Sequence, residues 1–300
     1  MTTTRPSRKK TASAHRKKKT KGKGWLARVR HLLFGSRYKQ VFWVAAGCII
    51  LFYVFLFYTF LIIPSSVRSR WLALYGDISY PAGYSIHGID VSHHQGRIDW
   101  RRVAEAKVND EPVVFVIIKA TEGKSLLDEN FNDNFYQARE YGLVRGAYHY
   151  FSPTVKGSTQ AQYYLHQVHL DEGDLPPVLD VEERGHLTRE QLQHEVLEWL
   201  RMVEECYNVP PIIYTGLKFK EANLSTPDFD RYPFWIAHYY VKEVGYKGEW
   251  RFWQHTDLGQ VDGIRGPVDL NIYNGSMYDL RHLTIGKGEE PQENEEPGDM

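Results

Sequence analysis

The chain has 300 residues, of which 42% are hydrophobic, 25% charged and 14% aromatic. This composition supports a sizeable core and excludes a wholly disordered, collagen-like or low-complexity protein. The formal net charge is zero, but residues 1–40 contain 14 Lys and Arg and no Asp or Glu, which leaves 23 basic against 37 acidic residues afterwards. This split disfavours a uniform cytosolic enzyme. The two cysteines, Cys48 and Cys206, exclude a disulfide framework, because Cys48 lies within an apolar run.

The N-terminal region predicts a membrane anchor. Residues 41–63 are 23 consecutive uncharged positions, enough for about 30 Å of helix and therefore for one bilayer crossing. Under the positive-inside rule, the basic arm 1–40 places the N-terminus in the cytoplasm and everything after residue 63 outside. The alternatives are a cleaved signal peptide for the apolar run, which is too long for one, and a nucleic-acid patch for the basic arm.

Three regions follow the predicted membrane helix. Residues 64–84 form a short stalk, in which Trp71 and Tyr75 are suited to a membrane interface. Residues 85–284 form the folded domain. The tail 285–300 is acidic, rich in Gly and Pro and without periodicity, which predicts disorder.

The folded domain alternates short β-branched runs with helical stretches. Eight runs read as strands, and helices are predicted between the first five of them, around residues 98–106, 128–142, 158–170 and 188–208. The last helix is the clearest, because Thr188 and Gln191 form a capping box at its start. This α/β pattern predicts a barrel of the (β/α)8 class with its last helices shortened or missing. A doubly wound open sheet is the alternative, and no nucleotide-binding glycine motif follows any strand.

Several acidic residues fall where a predicted strand ends: Asp90 in GIDVS, Asp180 and Glu182 in VLDVEE, and Asp269 in VDLN. In barrels this end of the strands carries the active site. Asp180 and Glu182 are two residues apart on one predicted strand, so both side chains point into one pocket. Carboxyl pairs of this kind perform general acid and base catalysis on glycosidic bonds.

Aromatic residues near the same strand ends are suited to stacking on sugar rings, although each also fits a place in the core. They are Tyr148, Tyr150, Phe151, Tyr214, Trp235, Tyr239 and Trp253. Other chemistries lack support in the sequence. His93 and His94 are adjacent, so on a strand they point in opposite directions, and neither H-E-x-x-H nor G-x-S-x-G occurs. Cys206 reads as a small residue of the amphipathic helix 188–207.

Seven segments taken together resemble the successive motifs of glycoside hydrolase family 25, the Chalaropsis-type lysozymes, in the family's order. They are GIDVSHHQGRIDW (88–100), FVIIKATEG (115–123), GAYHYF (146–151), PPVLDVEE (176–183), PIIYTG (211–216), FWIAHY (234–239) and WQHTDLGQVDGIRGPVDLNIYNG (253–275). The resemblance implies an irregular TIM-like (β/α)5(β)3 barrel, here preceded by one transmembrane helix. It also implies cleavage of the β-1,4 bond between N-acetylmuramic acid and N-acetylglucosamine, without a metal or other cofactor.

The resemblance also implies roles for individual residues. Glu182 matches the general acid and Asp180 the second carboxylate, near the anomeric carbon, while Asp90 and Asp269 match the other two active-site acids. Six further residues match positions that line the cleft and bind substrate: Lys119, Glu122, Tyr148, Tyr214, Trp235 and Gln254.

The sequence therefore predicts a single-pass protein of the cytoplasmic membrane whose muramidase domain faces the periplasm or the exterior. Its expected partners are peptidoglycan glycan strands and the membrane, and no nucleic acid is expected. Two alternatives remain open at this point. One is a tethered module that binds peptidoglycan without cleaving it, and the other is a glycosidase of another N-acetylated glycan such as chitin.

Overall fold

The computed structural model describes residues 24, 25, 27, 28, 30, 39–57 and 80–286. Most of the predicted basic arm, residues 64–79 of the predicted stalk and residues 287–300 of the predicted tail lie outside the described residues. The chain divides into two compact units, residues 1–64 and residues 65–300.

In the first unit, helix α1 covers Lys39–Phe57. It overlaps the predicted span 41–63, of which residues 58–63 lie outside the described residues. Most large apolar side chains of α1 are exposed, including Trp43 and Phe52. Within the part of the chain that the structure describes, no helix combines the length and the apolar character that a membrane crossing requires.

In the second unit, eight strands form a closed ring. They are β1 (His87–Val91), β3 (Glu111–Glu122), β5 (Val144–Tyr150), β6 (Val178–Asp180), β7 (Ile212–Gly216), β8 (Phe234–Ala237), β9 (Phe252–Gly259) and β10 (Val268–Tyr273). Each strand pairs with the next in parallel from β1 to β9, and β10 pairs antiparallel with both β9 and β1. The ring confirms the predicted barrel and excludes the doubly wound open sheet.

One helix follows each of the first five barrel strands, as the (β/α)5(β)3 architecture requires. These helices are α2 (Trp100–Glu105), α3 (Phe131–Glu140), α4 (Gly157–Gln167), α5 (Arg189–Tyr207) and α6 (Leu217–Asn223). The predicted capping box is present at α5, where the Thr188 side chain accepts a hydrogen bond from the Gln191 backbone and the Gln191 side chain accepts one from Thr188. This exchange satisfies two backbone donors that a helix start leaves free.

Four short elements were not predicted from the sequence. They are α6, the C-terminal helix α7 (Met277–Leu283), and the two-residue strands β2 (Lys107–Val108) and β4 (Leu126–Leu127), which each pair antiparallel with β3. Elements of two to seven residues contain too few positions for a hydrophobic period to be recognised.

The core lies on both sides of the barrel wall. Along β3, Phe115 and Ile117 face the barrel interior, whereas Val116 and Ile118 face the surrounding helices. All four side chains are fully buried. Burial on both faces explains why this strand is apolar at nearly every central position.

An aromatic segment covers the outer face of β9, where no helix precedes or follows the strand. The ring of Tyr84 packs on Trp250 and Trp253, and the ring of Tyr80 packs on His255. Trp253 is fully buried as a result. Residues 80–86 thus replace the missing helical layer on this side.

Candidate active site

The four acids that the sequence singles out meet at one rim of the barrel. Asp90 is the last but one residue of β1 and Asp180 is the last residue of β6, so both lie at carboxyl ends. Asp269 is instead the second residue of β10, near its amino end. The expectation that Asp269 ends a strand is therefore wrong. Because β10 runs antiparallel to its neighbours, its amino end reaches the same rim, and Asp269 lies directly opposite Asp90.

Glu182 lies two residues beyond the end of β6, so it does not share the strand with Asp180 as predicted. The two carboxyls nevertheless line the same cavity of about 250 Å³. Asp180 is buried, whereas Glu182 is exposed at the mouth of the cavity. The spacing in sequence therefore places one carboxyl deep in the cavity and the other at its opening.

Nine of the ten predicted site residues line this cavity: Asp90, Lys119, Tyr148, Asp180, Glu182, Tyr214, Trp235, Gln254 and Asp269. Glu122 is not among the lining residues. Its carboxylate instead forms an ion pair with Lys119, at 2.6 Å from Nζ. Lys119 is thereby fixed in the wall, with its ammonium group 5.1 Å from the centre of the Tyr150 ring.

The pKa values of the deeper acid and the acid at the mouth are both raised. Burial, followed by the charge of Glu182, raises the pKa of Asp180 well above its ordinary value. Glu182 is exposed, yet the cavity wall withdraws water from its carboxyl and raises its pKa. Lys119 opposes both shifts, because a nearby positive charge stabilises a carboxylate. The site therefore favours protonated carboxyls.

Asp90 and Asp269 form a second carboxyl pair. Burial raises the pKa of Asp90 to about 6, although hydrogen bonds from Asn271 and Gln254 to its carboxylate oppose the shift. Burial, followed by the charge of Asp90, raises the pKa of Asp269 to about 9. A side-chain hydrogen bond joins the two carboxyls, lowering the pKa of Asp90 and raising that of Asp269.

Two amide side chains hold Asp90 in place. Gln254 Nε2 and Asn271 Nδ2 both donate to Asp90 Oδ2, each at 2.7 Å. Asn271 is a functional candidate that the sequence analysis missed. It lies two residues after Asp269 on β10, so both side chains face the cavity side, and this alternation was readable in the motif VDLN.

Further lining residues are Ser92, His94, Tyr150 and Tyr239. The aromatic prediction therefore holds for Tyr148, Tyr150, Tyr214, Trp235 and Tyr239. It is wrong for Phe151 and Trp253, which are buried in the layer outside the barrel wall. Cys206 is an exposed free cysteine on α5.

The adjacent histidines do not point in opposite directions as expected. They belong to a 3-10 helix, His93–Gln95, that follows β1, and their ring centroids are 4.0 Å apart. His93 Nδ1 lies 2.9 Å from Asp128 Oδ2, while His94 lines the cavity. Among the described residues, no group of three or more His, Cys, Asp or Glu side chains is arranged to hold a metal ion.

Comparisons with known proteins agree with this geometry. The Escherichia coli K12 protein YegX is 51% identical over 215 residues, which cover 71% of this chain and 79% of YegX. Lysozyme M1 of Streptomyces globisporus is 33% identical over 215 residues, which cover 66% of this chain and 71% of that enzyme. The crystal structure of the bacterial lysozyme from Streptomyces coelicolor superimposes with a TM-score of 0.60 and 32% identity, over 67% of this chain and 97% of that one.

The sequence model of the family described as "Glycosyl hydrolases family 25" matches residues 89–264, which span the barrel from β1 to the loop after β9. The closed barrel, the acidic cavity and these relatives all agree with that match. The chain belongs to glycosyl hydrolase family 25 and is a glycoside hydrolase.

Proposed function

We propose that this glycoside hydrolase is a muramidase that cleaves the β-1,4 bond between N-acetylmuramic acid and N-acetylglucosamine in peptidoglycan. The observation that carries the proposal is the meeting of Asp90, Asp180, Glu182 and Asp269 in one cavity at the barrel rim. Relatives named as lysozymes match about two thirds of the chain, including all four of these positions' strands. The substrate class is taken from those relatives.

Glu182 acts as the general acid in this proposal. Glycosidic bond cleavage requires a proton on the leaving-group oxygen, so the acid must hold a proton at working pH. The raised pKa of Glu182 meets this requirement. Its exposure at the mouth of the cavity also leaves the carboxyl accessible to an entering glycan.

Asp180 acts as the second carboxylate, near the anomeric carbon. It is buried at the carboxyl end of β6, and its Oδ1 has no hydrogen-bond partner within the protein. A buried polar atom without a partner is costly, and a substrate N–H or O–H would satisfy it. This atom is therefore suited to receive a hydrogen bond from the bound sugar.

Hydrolysis of purified peptidoglycan sacculi by the full-length protein tests this assignment. Wild type should release soluble muropeptides, and Glu182→Gln should lower turnover by about 100-fold to 10,000-fold, the usual contribution of a positioned acid. Glu183→Gln is the matched control, because Glu183 is an exposed neighbour that does not line the cavity.

Two results would contradict the proposal. Retention of sacculi without release of muropeptides would indicate the non-catalytic binding module. Faster hydrolysis of chitin oligomers than of sacculi would indicate a glycosidase of a different N-acetylated glycan.

We also propose that the enzyme is a single-pass protein of the cytoplasmic membrane, with its N-terminus inside and its barrel outside. The support is the uncharged run of residues 41–63 after the basic arm, together with the exposed apolar side chains of α1. A reporter that is active only in the cytoplasm should function when inserted at residue 20 and fail at residue 285. Recovery of the full-length protein in the soluble fraction without detergent would contradict the anchor.

A further inference from the structure

The hydrogen bonds around Asp90 have a defined direction. The indole N–H of Trp235 lies 2.8 Å from Asn271 Oδ1 and has no acceptor atom, so it must donate. Asn271 therefore presents its oxygen to Trp235 and its Nδ2 amide group to Asp90 Oδ2, at 2.7 Å. Trp235 and Asn271 are both buried, so no solvent competes for these bonds. The direction of the chain is set by chemistry at the indole end.

A second amide acts on the same oxygen from the other side. Gln254 Nε2 donates to Asp90 Oδ2, and Gln254 Oε1 accepts from the hydroxyls of Tyr214 and Tyr239, each at 2.6 Å. Asp90 Oδ2 thus accepts two N–H bonds. An oxygen that accepts two donors is stabilised as part of a carboxylate and is a poor place for a proton.

Asp269 meets this carboxylate across the β1–β10 pair, in direct register. Two buried carboxyls joined by a hydrogen bond require one proton between them. With two amide donors already on Asp90, the proton is favoured on Asp269. The acidic groups that act on the pair are Glu182 and Asp257. Both add negative charge, so they favour retention of the shared proton.

We propose that Asp269 is a neutral carboxylic acid that donates its proton to a charged Asp90, and that Asn271, oriented by Trp235, is the positioning residue that sets this direction. The proposal deepens the proposed function, because it assigns charge within the cavity that the muramidase reaction uses. Asp90 is then the fixed negative charge of the pair and one of the charges that raise the pKa of Asp180.

Infrared spectroscopy of the full-length protein at pH 7.5, without substrate, tests which carboxyl holds the proton. Protonated carboxyls and carboxylates absorb at different frequencies, and the signals of Asp180 and Glu182 are common to all samples. Asp269→Asn should remove one protonated-carboxyl band. Asp90→Asn should retain that band but shift its titration to lower pH, because the Asp90 charge no longer raises the pKa of Asp269. Loss of the band in Asp90→Asn and its retention in Asp269→Asn would overturn the assignment.

The positioning role has its own matched pair of variants. Trp235→Phe removes the indole N–H that orients Asn271, and Asn271→Leu removes the amide itself. Both should raise the titration midpoint of Asp90 by about one pH unit, since a hydrogen bond to its charged form is weakened or lost. Trp253→Phe is the control, because it removes another buried indole N–H, which donates to the His238 carbonyl oxygen at 2.8 Å outside the cavity.

An unchanged Asp90 midpoint in both Trp235→Phe and Asn271→Leu would overturn the positioning role. An equal shift in Trp253→Phe would also overturn it, because the effect would then follow from general loosening of the fold. Turnover of sacculi provides a second comparison, in which Asp90→Asn should lose at least about tenfold more activity than Asp269→Asn. The infrared result needs no substrate, so it is independent of whether the chain cleaves peptidoglycan.

Discussion

At the scale of single residues, the cavity gives similar carboxyls different surroundings. Asp180 is buried and has one unpartnered oxygen, whereas Glu182 is exposed at the mouth. Lys119 is the cation nearest to both in effect, and it is fixed by Glu122 at 2.6 Å. Water access and charge, more than residue type, therefore distinguish the roles of these carboxyls.

The first prediction separates the general acid from the second carboxylate. An activated aryl leaving group needs little protonation, so it should restore turnover in Glu182→Gln far more than in Asp180→Asn. Initial rates on a natural and an activated substrate, measured for both variants, give the comparison. Equal rescue of the two variants would show that the acid has been assigned to the wrong residue.

The second prediction concerns Lys119→Met. Lys119 lowers the pKa values of Asp180 and Glu182, so its removal should raise both. A general acid with a higher pKa keeps its proton to higher pH, and the basic limb of the pH–rate profile should therefore move up by about one unit. Lys124→Met is the control, because Lys124 is exposed and does not line the cavity. A basic limb that moves to lower pH would contradict the account.

At the scale of elements, the close contact of α4 with α5 depends on a glycine. The backbone N–H of Gly157, the first residue of α4, donates to Glu195 Oε2 at 2.7 Å. A Cβ at this position would lie 1.8 Å from the backbone oxygen of Glu195. No side chain fits there without movement of one helix.

The third prediction is that Gly157→Ala lowers the free energy of unfolding by about 1–3 kcal/mol, the usual cost of overpacking. Gly216→Ala, at the start of α6, is the matched control, because its added Cβ would meet no atom within 4 Å. We expect the control to change the free energy of unfolding by less than about 1 kcal/mol. Denaturant unfolding of both variants measures the difference, and equal values would refute the packing argument.

The sequence predicted the barrel because its strands and helices have distinct hydrophobic periods, and β3 and α5 are long enough to show them. The direction of β10 was not predictable, since antiparallel and parallel strands have similar local sequences. Asp269 was therefore assigned to the correct rim for the wrong reason. The position of Glu122 beside Lys119 and the burial of Trp253 both depend on tertiary packing that motif positions do not contain.

At the scale of the whole molecule, the buried titratable groups impose a pH dependence on stability. Asp269 has a pKa of about 9, and the pKa of Asp180 is also well above its ordinary value. Between about pH 4 and pH 9 the native state thus holds protons that the unfolded state releases. Stability from these acids is complete below the unfolded pKa and is lost as pH rises through the folded one.

Buried histidines act in the opposite direction. Burial lowers the pKa of His149 to about 4 and that of His255 to about 3, and it also lowers the pKa of His87. Below about pH 6.5 the unfolded state binds protons that these native histidines do not, so their contribution to stability is lost as pH falls.

The fourth prediction follows from these two sets of groups. From pH 7 to pH 9 the histidines are neutral in both states, so the free energy of unfolding should fall, by at most about 1.4 kcal/mol per pH unit for each retained proton. Asp269→Asn should reduce this slope, because it removes one such group. Denaturant unfolding at several pH values measures the slope, and a rise in stability over this range would contradict the charge assignments.

The central claim is that the barrel cleaves the glycosidic bond on one defined side of N-acetylmuramic acid. Mass spectrometry of the products from purified sacculi, after reduction of their new reducing ends, tests it most directly. The account predicts that the reduced sugar is N-acetylmuramic acid in wild type and that this product is nearly absent with Glu182→Gln. Reduced N-acetylglucosamine as the main new end, or undiminished product formation by correctly folded Glu182→Gln, would contradict the account.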